Sequence, residues 1–139
     1  MIEALVTGFY NQLKGNVALQ TKLGGVVADP KIYHAVGLQG TIPPYIVFGL
    51  LTDVPESTFA KASAIERTTF YVNIFSKTSP ANLLQIADLV FTAMDDVSLT
   101  VTGYSSMVCR REYTGNIMQD YDTRIYMMAL RYRVLIGKN

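Results

Sequence analysis

The chain predicts an α+β fold, a mostly antiparallel sheet with two helices packed on one face, and three observations carry that expectation. The first is a strand at the start of residues 65–94. There Phe70, Val72 and Ile74 alternate with Thr69, Tyr71, Asn73 and Phe75, a period of two in residue types that favour strands. The second is the helix that follows. Ser79-Pro80 supplies an N-cap and a proline at the first helical position, where its missing N–H costs nothing. Leu83, Leu84, Ala87, Val90, Phe91 and Met94 then recur at helical spacing, with Gln85, Asp88, Thr92 and Asp95 opposite. The third is the alternation of residues 123–136. Tyr126, Met128, Leu130, Tyr132, Val134 and Ile136 take one face; Ile125, Met127, Ala129, Arg131 and Arg133 take the other. A strand handing its chain to a helix with one apolar stripe places that helix across a sheet.

The remaining elements follow in chain order. Ile2, Leu5, Val6, Phe9, Tyr10 and Leu13 form a continuous helical stripe that Gly15 ends. Asn16 caps a short second turn of helix over 19–23, closed by Gly24-Gly25. Residues 26–42 are turn-rich around a short strand at 31–35. Pro43-Pro44 introduces a strand over 45–51, since proline at a strand start removes no ladder N–H. Residues 52–64, with Asp53, Pro55 and Ser57, read as a long loop between two strands or as the wide end of a hairpin, and a loop of that length is uncommon in a compact domain unless it is functional or mobile. The helix ends shortly before Asp95-Asp96, because carboxylates oppose the dipole at a helix C-terminus. Strands at 99–102 and 105–113 flank a turn at Gly103-Tyr104, and 115–121 is a second loop. In the 105–113 strand Met107, Cys109, Arg111 and Tyr113 share one face, with Val108, Arg110, Glu112 and Thr114 on the other. The sheet face away from the helices keeps aromatics and arginines. With no repeat, low-complexity tract or linker, residues 1–139 read as a single domain.

At 139 residues, such a domain buries roughly two-thirds of its unfolded surface. Half the residues are hydrophobic, but they come in short periodic segments far below the ~18–20 residues of a membrane span. Glu3 and the lack of a basic leading stretch argue against a secretory leader, so a soluble intracellular product is expected. A net charge of +1 gives no bulk case for nucleic-acid or membrane binding. One cysteine excludes an intrachain disulfide framework.

Chemistry-bearing residues are sparse. Any Ser-His-Asp or Cys-His arrangement must pass through His34, the only histidine, which sits by a short strand without a nucleophile-elbow motif. It reads as a surface residue. No His, Cys and carboxylate group has metal-ligand spacing, and the glycines spell no phosphate-binding loop. Asp95-Asp96 and Asp120/Asp122 adjoin turns, where aspartate is common for backbone reasons. Cys109 reads as a small buried hydrophobe. Arg110, Arg111, Arg124, Arg131 and Arg133 gather in the last strands, either as a contact surface or as stems covering sheet edges. Glu112, Asp120 and Asp122 dilute their field, which favours protein contact over nucleic acid. Catalysis is the least supported class.

Taken together, the segments resemble a known family. An amphipathic first helix precedes a Gly-Gly turn and a short strand with Ile32-Tyr33. Then come the entry Pro43-Pro44-Tyr45-Ile46-Val47, the strand Phe70 to Phe75 ending in Ser76, and the helix from Asn82 to Met94. A closing strand preceded by Asp122-Thr123 contains Leu130-Arg131-Tyr132-Arg133. This order resembles the tail-completion, or tail-terminator, proteins of long-tailed bacteriophages and related prophages. The resemblance spans nearly the whole chain apart from 52–64 and 115–121.

The resemblance implies an α+β subunit without catalysis, cofactor or membrane contact, made in the host bacterial cytoplasm and carried in the virion. It implies a ring, usually a hexamer, at the head-proximal end of the tail tube. That ring stops tube polymerisation and meets the head–tail connector protein, while DNA passes the lumen without specific binding. The family supplies no catalytic motif to transfer. Expected contact residues are Asp53 and Glu56 in the 52–64 loop and Asp120 in the 115–121 loop, with Arg110, Arg131 and Arg133 near a subunit boundary or the lumen. A neck or head–tail joining protein, or another minor tail protein, is a variant of the same class. In another class stands a small-ligand or protein-binding module whose pocket is the aromatic face of Tyr71, Phe75 and Tyr126.

Overall fold

Alternation puts every second residue of a strand on the same side, and Ile65–Ser76 is the strand (β3) on which the sheet is built. The computed structural model describes residues 2–24, 31–35, 42–56 and 65–138. In it, β3 buries Glu66, Thr68, Phe70, Val72, Ile74 and Ser76 on one side. Before it come α1 (Ile2–Lys14), α2 (Val17–Leu23), β1 (Ile32–His34) and β2 (Tyr45–Glu56). After it come α3 (Pro80–Met94), β4 (Val97–Ser98), β5 (Tyr104–Thr114), β6 (Met118–Gln119) and β7 (Tyr126–Lys138). The strand order is β1-β2-β3-β7-β5-β4, and β6 pairs with β7 beyond the end of β5. β1 runs parallel to β2 while the other described pairings are antiparallel, so the sheet is mixed.

The core lies between the helices and the even-numbered residues of β3 and β7. Met128, Leu130, Tyr132, Val134 and Ile136 of β7 are buried beside Phe70, Val72 and Ile74 of β3. From above, α1 drives Phe9 into them. Its ring stacks 4.3 Å from Phe70 and 5.5 Å from Phe48, and meets Tyr132 edge-on at 6.3 Å. Burying one such aromatic is worth about 1.5–3 kcal/mol, so α1 is held chiefly by this residue and by Leu5 and Leu13, all fully buried.

The helix termini follow their caps. Asn16 accepts the Leu19 amide at 2.9 Å, and Gly24, at φ +75°, closes α2 with its N–H on Gln20 and Thr21 carbonyls. Ser79 accepts the Asn82 amide at 3.1 Å with Pro80 behind it. Helix α3 ends at Met94, with Asp95 as its C-cap.

Five sequence expectations are corrected. There are three helices, not two, because caps at both ends make α2 a helix of its own. Strand β2 does not stop at 51: after a bulge at Leu51 it continues to Glu56 against Ile65–Thr69 of β3. Pro55 is tolerated there because, among the described residues, β1 pairs with β2 at Ile46–Phe48 and leaves Pro55 on an outer edge, where a missing N–H costs no ladder bond. Residues 57–64, the rest of the expected 52–64 loop, lie outside the described residues. No strand forms at 99–102. Leu99 and Val101 are buried without a ladder, and the strand before the Gly103 turn is Val97–Ser98. In α3 the buried face is Leu83, Ile86, Ala87, Val90, Ala93 and Met94, while Leu84 is 46% exposed and Phe91 only half-buried. The buried stripe is therefore rotated slightly from the one read off the sequence. Finally, 115–121 is not all loop, since Met118 and Gln119 pair with Met127 and Tyr126.

Candidate functional site

The helix-free face of the sheet is where the side chains of functional interest meet. The odd-numbered residues of β3 and β7 point there, together with Tyr45 and Val47 of β2. They line an open groove of about 580 Å³ between Ala35, Tyr45, Tyr71, Asn73, Phe75 and Arg131. A second groove of about 450 Å³ shares Tyr45 and Phe75 and runs on to Met118, Asp120, Ile125 and Met127. Tyr45 and Phe75 stack at 4.9 Å across the join, and Tyr33 meets Tyr45 edge-on. The result is one aromatic trough from the end of β1 to the β6–β7 turn.

Gly49 makes room for one wall of it. A Cβ there would stand 2.6 Å from the Tyr71 hydroxyl, so only glycine lets that ring lie across β2. The same hydroxyl donates to the Ala35 carbonyl at 3.4 Å.

The arginines divide by face. Arg110 and Arg133 are cross-strand partners on β5 and β7. Arg133 lies 3.5 Å from Glu112, and Arg110 lies 3.7 Å from Asp96. Arg131 stands over the ring of Tyr113 at 5.2 Å, and no carboxylate of the described residues pairs with it. Arg111 belongs to the helix side. It covers the Phe91 ring at 3.7 Å and reaches Asp95 at 3.3 Å. Asp95 also accepts the Tyr132 hydroxyl at 2.7 Å, tying the end of α3 to the centre of β7. Burial, and then that hydrogen bond, hold the Tyr132 phenol protonated well beyond the usual tyrosine range. Burial, and then Asp95 and Asp96, push the neighbouring Cys109 thiol up to about 12, which makes it inert at neutral pH.

The expected contact residues separate into three places. Arg110, Arg131 and Arg133 gather on the open face toward β5. Asp120 lies at the other end of the trough, where it builds the turn: its Oδ1 accepts the Asp122 amide at 2.8 Å and its carbonyl accepts the Arg124 amide at 2.8 Å. Asp53 is opposite Thr68, on the helix-side register and half-buried, and Glu56 is the last residue of β2; both belong to a strand instead of a loop. Tyr126 is not part of the aromatic face. It is opposite buried Ser76 and packs on the core, and Tyr45 takes the place expected for it. Tyr113, expected on the face of Cys109 and Arg111, is turned to the open face opposite Arg131 by the irregularity after Arg111, and Gly49 escaped sequence reasoning, although the residue opposite Tyr71 in a hairpin was the place to look for a glycine.

His34 is exposed on the edge strand, with its ring 5.4 Å from Phe48. Among the described residues no group of three His, Cys, Asp or Glu could hold a metal ion, and no helix is long and apolar enough to cross a membrane.

Residues 8–137 match the family model of the tail completion protein gp17. The chain belongs to that family. It is thus a structural protein of the phage tail. The fold of this tail completion protein is also found in solved structures. It superposes on a chain described as "Virion of native gene transfer agent (GTA) particle" with a TM-score of 0.77 at 16% identity, over 92% of this chain and 90% of that one. A second structure, described only by a sequence identifier, gives a TM-score of 0.67 at 9% identity over 99% and 96% of the two chains. No curated protein matches the sequence.

Proposed function

We infer that this tail completion protein forms a ring, a hexamer, at the head-proximal end of the tail tube. The ring ends tube polymerisation and joins the tail to the head–tail connector protein. Membership of the tail completion family over nearly the whole chain is the observation that carries this reading. The fold shared with a component of a gene transfer agent virion is in keeping with it. A ring needs two different surfaces on each subunit, one for each neighbour. The aromatic trough and the β6–β7 turn are suited to contacts between subunits, with Arg131 and Asp120 in them. Arg110 and Arg133 flank the boundary, and Asp53 and Glu56, at the far end of β2, meet the tube or the connector. A near-neutral chain also suits a lumen that DNA must pass without being held. Electron microscopy of particles made without this protein tests the reading. Tails of irregular, over-long tube and unjoined heads are expected; tails of normal, capped length would sink it.

A further inference from the structure

Among the described large hydrophobic residues Tyr121 is the most exposed, at 92%. It stands at the tip of the β6–β7 turn between Asp120 and Asp122. The tip is ordered by its backbone: Asp120 accepts amides of Asp122, Thr123 and Arg124, and its own N–H donates to the Ile125 carbonyl at 3.0 Å. Arg124 holds a φ of +60° to close the turn. An aromatic ring on a turn that is already built loses little freedom on docking. Beside it, the Asp122 carboxylate has no ion-pair partner among the described residues, and Arg124 reduces the negative charge of the tip without cancelling it.

The opposite end of the trough offers the complement. Arg110 and Arg133 are each engaged by a carboxylate, but among the described residues Arg131 meets no carboxylate and stands over the ring of Tyr113, itself 49% exposed. Its side chain lines the groove with Tyr71 and Asn73. A guanidinium without a counter-charge, set among open aromatic rings, fits an aromatic side chain that carries a carboxylate next to it. This chain displays that pair itself.

We propose that the Tyr121-Asp122 tip of one subunit docks in the Arg131 groove of the next copy of the chain. This rests on the ring reading above and names the contact that closes the ring. The Tyr121 ring lies among Tyr71 and Tyr113, and the Asp122 carboxylate meets the Arg131 guanidinium. Tip and groove are different patches, so each subunit gives a tip to one neighbour and a groove to the other. Used head to tail in this way, the contact is heterologous, and it generates a ring when the rotation between neighbours closes.

The test is a charge swap in the full chain, read by sedimentation velocity over a concentration series. Arg131→Glu and Asp122→Arg each weaken assembly at least about tenfold, and the double variant recovers it. Melting curves check that each variant folds, as expected for exposed positions. A second arm mixes Tyr121→Cys chains with Asn73→Cys chains under mild oxidation. A mixed disulfide dimer, in excess of either self-dimer, supports the contact even where assembly is weak; buried Cys109 does not compete. If the wild type assembles and neither single reversal changes its mass, the docking contact is overturned and the ring stands. A wild type that stays monomeric, together with no mixed disulfide between the two cysteine variants, overturns the contact too, and the ring is then judged by the tails alone.

Discussion

The Tyr71 ring lies directly over Gly49, its cross-strand partner, with the hydroxyl 2.6 Å from where a Cβ would be. In a strand interior glycine is ordinarily a loss of about 0.5–1 kcal/mol against alanine, so its presence here is explained by the ring above it. Gly49→Ala is therefore expected to destabilise the wild type by roughly 1 kcal/mol, through displacement of Tyr71. In a Tyr71→Ala background the same change becomes neutral or stabilising. Urea unfolding of the four variants reads the inversion of sign, and an equal cost in both backgrounds would refute it.

Gly8 faces a stiffer neighbour. A Cβ there would come 2.7 Å from the Thr100 carbonyl oxygen, a backbone atom that cannot swing aside. Alanine gains about 1 kcal/mol of helix propensity, yet α1 must retreat from the 99–101 segment, which Leu99 and Val101 anchor in the core. A net loss of about 1–3 kcal/mol is expected for Gly8→Ala, measured as a drop in melting temperature.

Tyr132→Phe removes the hydroxyl that anchors Asp95 and costs about 1.5–3 kcal/mol in urea unfolding, the range for hydrogen bonds to charged groups. In an Asp95→Asn background the cost shrinks toward that of a neutral bond. An undiminished cost there would mean that the hydroxyl serves packing alone.

Alkaline pH should unfold the chain through the same corner. The Cys109 thiol ionises near 9.0 when unfolded and near 12 when folded. The unfolded state therefore holds fewer protons between those values, and stability present below pH 9 is lost as pH rises toward 12. Tyr132, also raised, adds a loss of the same sign. Cys109→Ala should flatten the decline, checked by denaturant midpoints from pH 8 upward.

Asp120→Ala should loosen the β6–β7 turn by roughly 1 kcal/mol while leaving the core intact. The signature is faster hydrogen exchange at Asp122, Thr123 and Arg124, with amides of β3 and β7 unchanged. Uniformly faster exchange would instead mean that the turn supports the whole sheet.

Legibility in the sequence followed local periodicity. The faces of β3 and β7 were readable because Phe70, Val72 and Ile74, and Leu130, Tyr132 and Val134, alternate without interruption. The caps at Asn16 and Ser79 were readable because they act within four residues. The reach of β2 was not, because Thr52, Asp53 and Pro55 look like turn formers and are kept extended only by β3. Residues 99–101 misled for the opposite reason: Leu99 and Val101 are buried like strand residues, but the segment packs against Gly8 of α1 and is not itself a strand. At the candidate site, Tyr71 and Phe75 could be placed on the open face from parity alone. Which arginine has no carboxylate partner among the described residues could not, because that depends on the β5–β7 register and on where α3 ends beside Asp95 and Asp96.

The order of the sheet has a consequence for synthesis. Of the described strands β7 emerges last from the ribosome, yet it lies between β3 and β5, and its even-numbered residues supply the middle of the core. Until it arrives, β3 and β5 have no common partner and Phe9 has only part of its pocket. A nascent or shortened chain therefore cannot pass for a finished subunit. Whatever this protein joins can only be joined by copies that have been translated to the end of that strand.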